Sequence, residues 1–445
     1  MTAERKLHFN LFLHDTGHHE ASWRLPESDP NALLDLEYHQ RLARIAEDAK
    51  FDSLFLADAP ALFGDVGRRP QGGIEPTILL TALAVTTSRI GLIATASTSY
   101  NEPYNLARRL SSVDWISSGR AGWNIVTTAG EAAARNFGLD EQPLHSARYA
   151  RASEFLEVAT KLWDSWEDDA IIADKESGVH TLADRVHAVG HRGEHFSVAG
   201  PLNSPRSPQG YPLLVQAGSS ESGKDFAARW AEAIFTAQPT VEEAQAFYAD
   251  VKRRAIAYGR DPEHVKVLPG LVPVIGNTQA EAFALEAELD RLIAPEYARA
   301  QLAKTLGLEP EELPLDKPLP EDLPGEDAIE GAKSRYTLIV DLARRENLTV
   351  RELIGRLGGG RGHRTFAGTP VQVADTIQHW FENGAADGFN IMPAVLPSGL
   401  DTFVATVLPI LRERGLFRTE YDGTTLRDHY GLPRPVNQHA LAAVG

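Results

Sequence analysis

"SSGRAGWNIVTT" (residues 117–128) sets two glycines, an arginine, a tryptophan and an asparagine ahead of a β-branched run that ends on two threonines. Two readings compete for it: a glycine-rich loop that cradles a phosphate, or the entrance to a buried strand. The stretch before it, "PYNLARRLSSVDWISSG" (103–119), has helical spacing, and "NIVTT" has the composition of a strand. The glycines therefore stand where a helix hands over to a strand, and there they permit a tight turn and close packing. On this reading Arg120 makes a structural ion pair, Asn124 points inward, and Thr127 and Thr128 leave the strand at its far end.

The same alternation runs along the whole chain. Strand-like runs are "LHFNLFL" (7–13), "FDSLFLAD" (51–58), "RIGLIATAST" (89–98), the quoted motif, "YPLLVQAG" (211–218), "AEAIFTA" (231–237), "VKVLPGLVPVIG" (265–276) and "DGFNIMPA" (387–394). Helix-like segments separate them, such as "LEYHQRLARIAEDAK" (36–50) and "SGKDFAARW" (222–230). Strands alternating with helices imply βαβ units and a parallel sheet, and eight of them fit an α/β fold of the (β/α)8 TIM-barrel type. We expect one domain over 1–445, with insertions at about 59–75, 167–210 and 277–386. The last holds an acidic, proline-rich stretch and the glycine-rich "LGGGRGHRTFAGTP" (357–370), of which residues 357–369 are expected to form a flexible lid over the barrel mouth.

Composition narrows the function. Sixty-one acidic against forty-four basic residues give a formal charge of −17, which disfavours nucleic acid and anionic membrane as partners. The absence of cysteine excludes disulfides, thiolate metal sites and a cysteine nucleophile. No run approaches the roughly 20 apolar residues of a membrane span, and the N-terminal stretch lacks the form of a signal peptide, so the expected location is the cytoplasm.

Barrel chemistry sits at the C-terminal ends of the strands. Those ends carry His14, Asp58, Thr95 to Ser97, Thr127, Thr128 and "AGSSESG" (217–223). In the last, Ser219 and Ser220 stand between a strand and a helix. Unpaired N–H groups, hydroxyls and the helix dipole there suit a phosphate, but plain N-capping is an equal reading. His145 and Tyr149 are four residues apart and share a helix face, which serves a common ligand or simply two polar tips in water. "HDTGHHEASWR" (14–24) is rich in histidine, but its spacing places no ligand set on one face, so no metal is expected. Trp23 and Arg24 offer a flat wall and a cation, Asp58 a carboxylate that needs donors, and Arg361 and Arg364 further cations. A Ser-His-Asp triad lacks its Gly-x-Ser-x-Gly elbow.

The blocks "SGRAGWNIVTT", "EAAARNFGL", "HSARYARASEFLEVATKLWDSW", "GPLNSPRSPQGYPLLVQAGSSESG", "GAADGFNI" and "FRTEYDGTTLRDHYGL" occur in the order they have in a known family. The chain resembles the nitrilotriacetate monooxygenase and dibenzothiophene-sulfone monooxygenase family of bacterial-luciferase-like, FMN-dependent monooxygenases. The resemblance implies a barrel using reduced FMN (FMNH2) and O2 on a small-molecule substrate, with a separate NAD(P)H:flavin reductase supplying the FMNH2. It implies FMN contacts at Asp58, Thr95, Thr128, His145, Tyr149, Ser219 and Ser220. It further implies His18 as the catalytic pocket histidine and Phe12, Phe55 and Phe235 as apolar walls, with Trp23 and Arg24 alongside, and a homodimer or homotetramer. C–N or C–S cleavage follows from the same likeness. Two alternatives stand beside it: a deazaflavin-dependent hydride-transfer enzyme of the same superfamily, and a flavin-binding barrel without catalysis.

Overall fold

The computed structural model describes residues 5–62, 66–68, 70–325, 333–360 and 362–442. Eight parallel strands close on themselves: β1 His8–Leu13, β2 Ser53–Leu56, β3 Gly91–Ser97, β4 Ala121–Val126, β5 Leu213–Ala217, β6 Ala233–Thr236, β7 Lys266–Ile275 and β8 Gly388–Ile391. Each falls inside one of the eight runs read from sequence. Register carries across the barrel: Phe12 lies opposite Phe55, Phe55 opposite Ile93, and Ile93 opposite Gly122. The ring closes through Ala233 opposite Lys266, Gly270 opposite Asn390, and His8 opposite Gly388.

Parallel strands are covered on both faces, which is why β1 is buried at all six positions. One set of side chains packs outward against helices, with Phe9, Leu11, Leu54 and Leu92 meeting Leu80, Ile377, Trp380 and Phe403. The other set fills the barrel, with Phe12, Phe55, Ile93, Val215, Phe235 and Leu268. From below, the C-terminal segment plugs the barrel with Leu426 and Tyr430.

That plug explains the glycines of 117–128. A Cβ on Gly122 would come within 2.8 Å of Ile93 Cγ1 and 3.3 Å of Leu426 Cδ2. Gly119 adopts φ +87°, and a Cβ there would meet Thr425 Cγ2 at 3.0 Å. The expected ion pair of Arg120 is not what forms. Its buried guanidinium donates instead to the carbonyls of Ser117 (2.7 Å), Ile90 (2.7 Å), Ala84 (2.9 Å) and Thr87 (3.1 Å), and to Thr87 Oγ1 at 3.0 Å. Helix-end carbonyls need donors, and the planar fork serves several at once. Asn124 does point inward, donating to Thr95 Oγ1 at 2.8 Å.

Between β4 and β5 the chain adds the helix His145–Trp163 and two small antiparallel pairs, Ile171–Asp174 with Val179–Thr181 and His191–Arg192 with Ser197–Val198. Between β7 and β8, helices Gln279–Arg291, Pro295–Leu306, Lys333–Arg345 and Val350–Gly360 surround an apolar cluster of their own. A strand, Arg364–Gly368, then pairs with the outer half of β7. The glycine-rich stretch is therefore no lid. Gly358, Gly359 and Gly360 are buried in a helix end, where a Cβ on Gly358 would sit 2.4 Å from Ile293 Cδ1 and one on Gly360 2.9 Å from Thr365 Oγ1. Arg361, and residues 63–65 and 69 of the second loop, lie outside the described residues. No helix among the described residues is long and apolar enough to cross a membrane.

Candidate active site

Two features share the C-terminal face of the barrel. The first is a polar cradle over β3 to β6. Thr128, just past β4, donates to Ser97 Oγ at 2.8 Å, and Ser99 donates to the Thr127 carbonyl at 3.1 Å. Past β5, Ser219 pairs with Thr236 Oγ1 at 3.0 Å, while Ser220 caps the helix Glu221–Trp230 by accepting from Gly223 N at 3.1 Å. Tyr149, one turn into its helix, brings its hydroxyl into hydrogen-bond contact with Ser220 and Thr127. Burial pushes that phenol up, so it stays protonated and able to donate. His145 lies on the same helix face, with ring centroids 4.8 Å from Tyr149. Arg148 is buried beside them; Nη1 donates to the Pro143 carbonyl at 2.5 Å, and its buried Nε has no partner among the described residues.

The capping and phosphate readings of Ser220 thus coexist. The serine does cap, and the helix N-terminus it caps faces a ring of hydroxyls. The cradle is also kept narrow: a Cβ on Gly218 would lie 2.7 Å from Gln216 Nε2, and one on Gly223 3.2 Å from the Tyr149 hydroxyl. Hydroxyl donors, a helix N-terminus and an unpartnered buried guanidinium N–H fit a phosphate monoester.

The second feature is an aromatic floor. Phe12 touches Phe55 (4.9 Å), Phe235 (5.5 Å) and His18 (4.5 Å) through edge-on contacts between ring centroids. His18 is almost fully buried and its Nε2 lies 2.9 Å from the Phe12 carbonyl. A carbonyl only accepts, so Nε2 carries the proton there. Beyond Phe235 stands a residue that sequence reading missed: His363, stacked on Phe235 at 4.8 Å and 11°. Its signal was hidden in a stretch read for its glycines and for Arg361 and Arg364. Gly270 makes room for it, since a Cβ there would meet His363 Nδ1 at 2.4 Å.

Next to the floor opens a cavity of about 680 Å³ over the exits of β1 and β2, lined by Phe12, His14, Asp15, Leu56, Asp58 and Glu75 among others. Asp58 is pushed up by burial and by the neighbouring Glu75 carboxylate. Thr95 is buried within the barrel, bonded to Asn124. Of the expected residues, Thr128, Tyr149, Ser219, Ser220 and His145 meet in the cradle, and Phe12, Phe55, Phe235 and His18 in the floor. Asp58 stands on the cavity wall, on the β1–β2 side rather than in the cradle. Trp23 and Arg24 stand apart from the floor, in a separate hollow with Leu292 and Tyr297. The other histidines of the first loop have partners of their own: His14 with Asp15 at 3.1 Å and His19 with Asp290 at 3.2 Å. Among the described residues no group of three or more His, Cys, Asp or Glu is placed to hold a metal ion.

Residues 8–387 match the family of luciferase-like monooxygenases. The chain belongs to that family. It is 48% identical over 443 residues to N-acetyl-S-(2-succino)cysteine monooxygenase of Bacillus subtilis, covering 99% of this chain and 100% of that one. It is 46% identical to nitrilotriacetate monooxygenase component A of Aminobacter aminovorans, covering 99% of each. Among solved structures, a riboflavin lyase with modified FMN and substrate riboflavin superposes with a TM-score of 0.85 at 34% identity, covering 97% of both chains. The luciferase-like monooxygenase is thus an oxidoreductase of the flavin-dependent kind, with two-component relatives.

Proposed function

We propose that this luciferase-like monooxygenase is the oxygenase half of a two-component system. It takes FMNH2 from a separate NAD(P)H:flavin reductase, and with O2 it oxygenates a small organic substrate and cleaves a C–N or C–S bond. The observation that supports this most is the pairing of a phosphate-sized polar cradle with an aromatic-floored cavity on one barrel face. When bound, reduced FMN supplies the electrons that activate O2.

The chain's own residues divide the remaining work. Tyr149, Ser220, Thr128 and Arg148 would hold the phosphate, and His145 would flank it. Phe12, Phe55 and Phe235 give the ring system a dry surface, and water exclusion strengthens every polar contact above it. His18, with Nε2–H tied to the Phe12 carbonyl, is held in one tautomer and one orientation, which fixes how its ring meets a ligand on the floor. Asp58, raised by burial and by Glu75, places a carboxyl group on the cavity wall. The names of the two close relatives point to substrates that carry carboxylates and a carbon–heteroatom bond. We further propose a single barrel domain that assembles as a homodimer or homotetramer, read by light scattering.

The test is direct. Apo-protein is titrated with FMN and with a deazaflavin, then supplied with a flavin reductase, NADH and O2, and candidate substrates are screened for oxygenated product by mass spectrometry. Tight FMN binding and product formation are expected. Preference for the deazaflavin, or product without O2, would overturn the proposal in favour of hydride transfer.

A further inference from the structure

Along β5, Leu213 and Val215 fill the barrel, while Leu214 packs outward with Trp123 and Phe155. Gln216 takes the next outward position, where the same apolar cover calls for another aliphatic side chain. Its neighbours across the sheet are Ile125 and Ile234. It is 2% exposed, and its Oε1 has no hydrogen-bond partner among the described residues. An amide shut away from water in this manner costs stability, so its presence asks for a compensating contact.

The glycines of the cradle show where that contact lies. A Cβ on Gly218 would stand 2.7 Å from Gln216 Nε2 and 3.6 Å from the Tyr149 hydroxyl. One on Gly223 would stand 3.2 Å from the same hydroxyl and 3.1 Å from Ser220 Oγ. The amide nitrogen therefore converges with both hydroxyls on this pair of glycines, neither of which puts a side chain between them. Ser220 caps the helix Glu221–Trp230 and Gly223 lies in its first turn. A neutral donor is thus aimed at the end of the helix where the dipole favours an anion. Because a barrel strand carries it, the donor is fixed with the sheet.

We propose that Gln216 is a further phosphate-holding residue of the cradle, its Nε2–H donating to an oxygen of the flavin's phosphate monoester. The assignment rests on the FMN reading given under Proposed function. It makes the polar end of β5 part of the binding site. It also gives Gly218 a reason: a side chain there would meet the amide before a ligand does.

The test compares flavin-free wild type, Gln216→Met and Gln216→Glu, by fluorescence titration with FMN and riboflavin and by urea unfolding. Methionine keeps the length of the side chain and removes the donor. Glutamate keeps its shape and sets a carboxylate against the phosphate. Gln216→Met should raise the FMN dissociation constant roughly tenfold or more, as loss of a hydrogen bond to a charged group requires, and Gln216→Glu should raise it further. Riboflavin lacks the phosphate, so its affinity should move by less than about threefold in Gln216→Met. Without flavin, Gln216→Met should unfold at no lower urea concentration than wild type, because it removes a buried amide oxygen that has no partner. Equal losses for the two flavins, or a lower urea midpoint with no selective loss of FMN, overturn the assignment in favour of a bracing role. Tighter FMN binding by Gln216→Met overturns it too, since the amide would then turn its oxygen to the cradle. A wild type that binds FMN no better than riboflavin strikes the cradle itself, whereas a preference for FMN that survives both substitutions strikes Gln216 alone.

Discussion

Removing one oxygen atom from Tyr149 tests the cradle. In Tyr149→Phe the ring keeps its neighbours, His145 at 4.8 Å and Phe226 at 5.8 Å, so the helix and its packing should persist. What disappears is a hydroxyl in contact with Ser220 and Thr127, kept protonated by burial. A hydrogen bond to a charged group contributes about 1.5–3 kcal/mol, so its loss predicts a rise in the FMN dissociation constant of roughly ten- to hundredfold. The assay is quenching of flavin fluorescence on titration, with riboflavin as the partner measurement. Riboflavin has no phosphate, so its affinity should move by less than about threefold. Equal losses for the two flavins would mean that Tyr149 does not meet the phosphate, and an unchanged FMN affinity would refute the cradle altogether.

Gly122→Ala should cost about 1–3 kcal/mol in denaturant unfolding, because the new Cβ lies 2.8 Å from Ile93 Cγ1, and it should leave FMN affinity unchanged. Arg120→Met, by stripping the donor from four backbone carbonyls, should lower stability by about 3–5 kcal/mol, again with normal flavin binding in whatever remains folded. Asp114 offers a pH test. Burial raises it from the ordinary 3.8 to about 6, against hydrogen bonds from Ser207, Ala121 and Gln209. The folded state therefore holds this proton between pH 4 and 6, and the stability it contributes is full below about pH 4 and lost as pH rises through 6. Two pKa units correspond to about 3 kcal/mol, so Asp114→Asn should gain on the wild type by about that amount between pH 4 and pH 7 in parallel urea titrations.

The eight strands were legible because a strand covered on both faces must be written in β-branched and apolar residues, and little else in a chain looks like that. The polar strand exits were legible for the complementary reason: Thr128 and Ser219 interrupt apolar runs where no core demands them. Arg120 was misread because sequence shows a charge but not which atoms surround it; besides the nearby Ser117 carbonyl, its partners come from residues 84–90, about thirty positions away, and all but the Thr87 hydroxyl are carbonyls. The glycines at 358–360 misled for a related reason. A missing side chain signals freedom when the backbone is exposed and close approach when it is buried, and only the neighbouring Ile293 and Thr365 decide which. His363 was invisible because its importance lies in Phe235 and Gly270, neither near it in sequence.

The two halves of the site are built differently, and the difference bears on what each can do. The cradle is tied from strand to strand, through Thr128 to Ser97 and Ser219 to Thr236, so its atoms are fixed by the barrel itself. A ligand held there is held in one place whatever the connecting segments become. The cavity opposite takes most of its described walls from residues 57–62 and 70–75, and the separate hollow takes one side from 292–297, which are connections rather than strands. Among the described residues these walls bond to other connecting segments: Asn136 donates to the Pro60 carbonyl at 2.9 Å, and Arg24 to the Leu292 carbonyl. Substitutions in these segments alter the shape and charge that a second ligand meets without moving the cradle. If the cradle holds the cofactor as proposed, a barrel organised in this way keeps that geometry constant while the walls that meet a substrate vary.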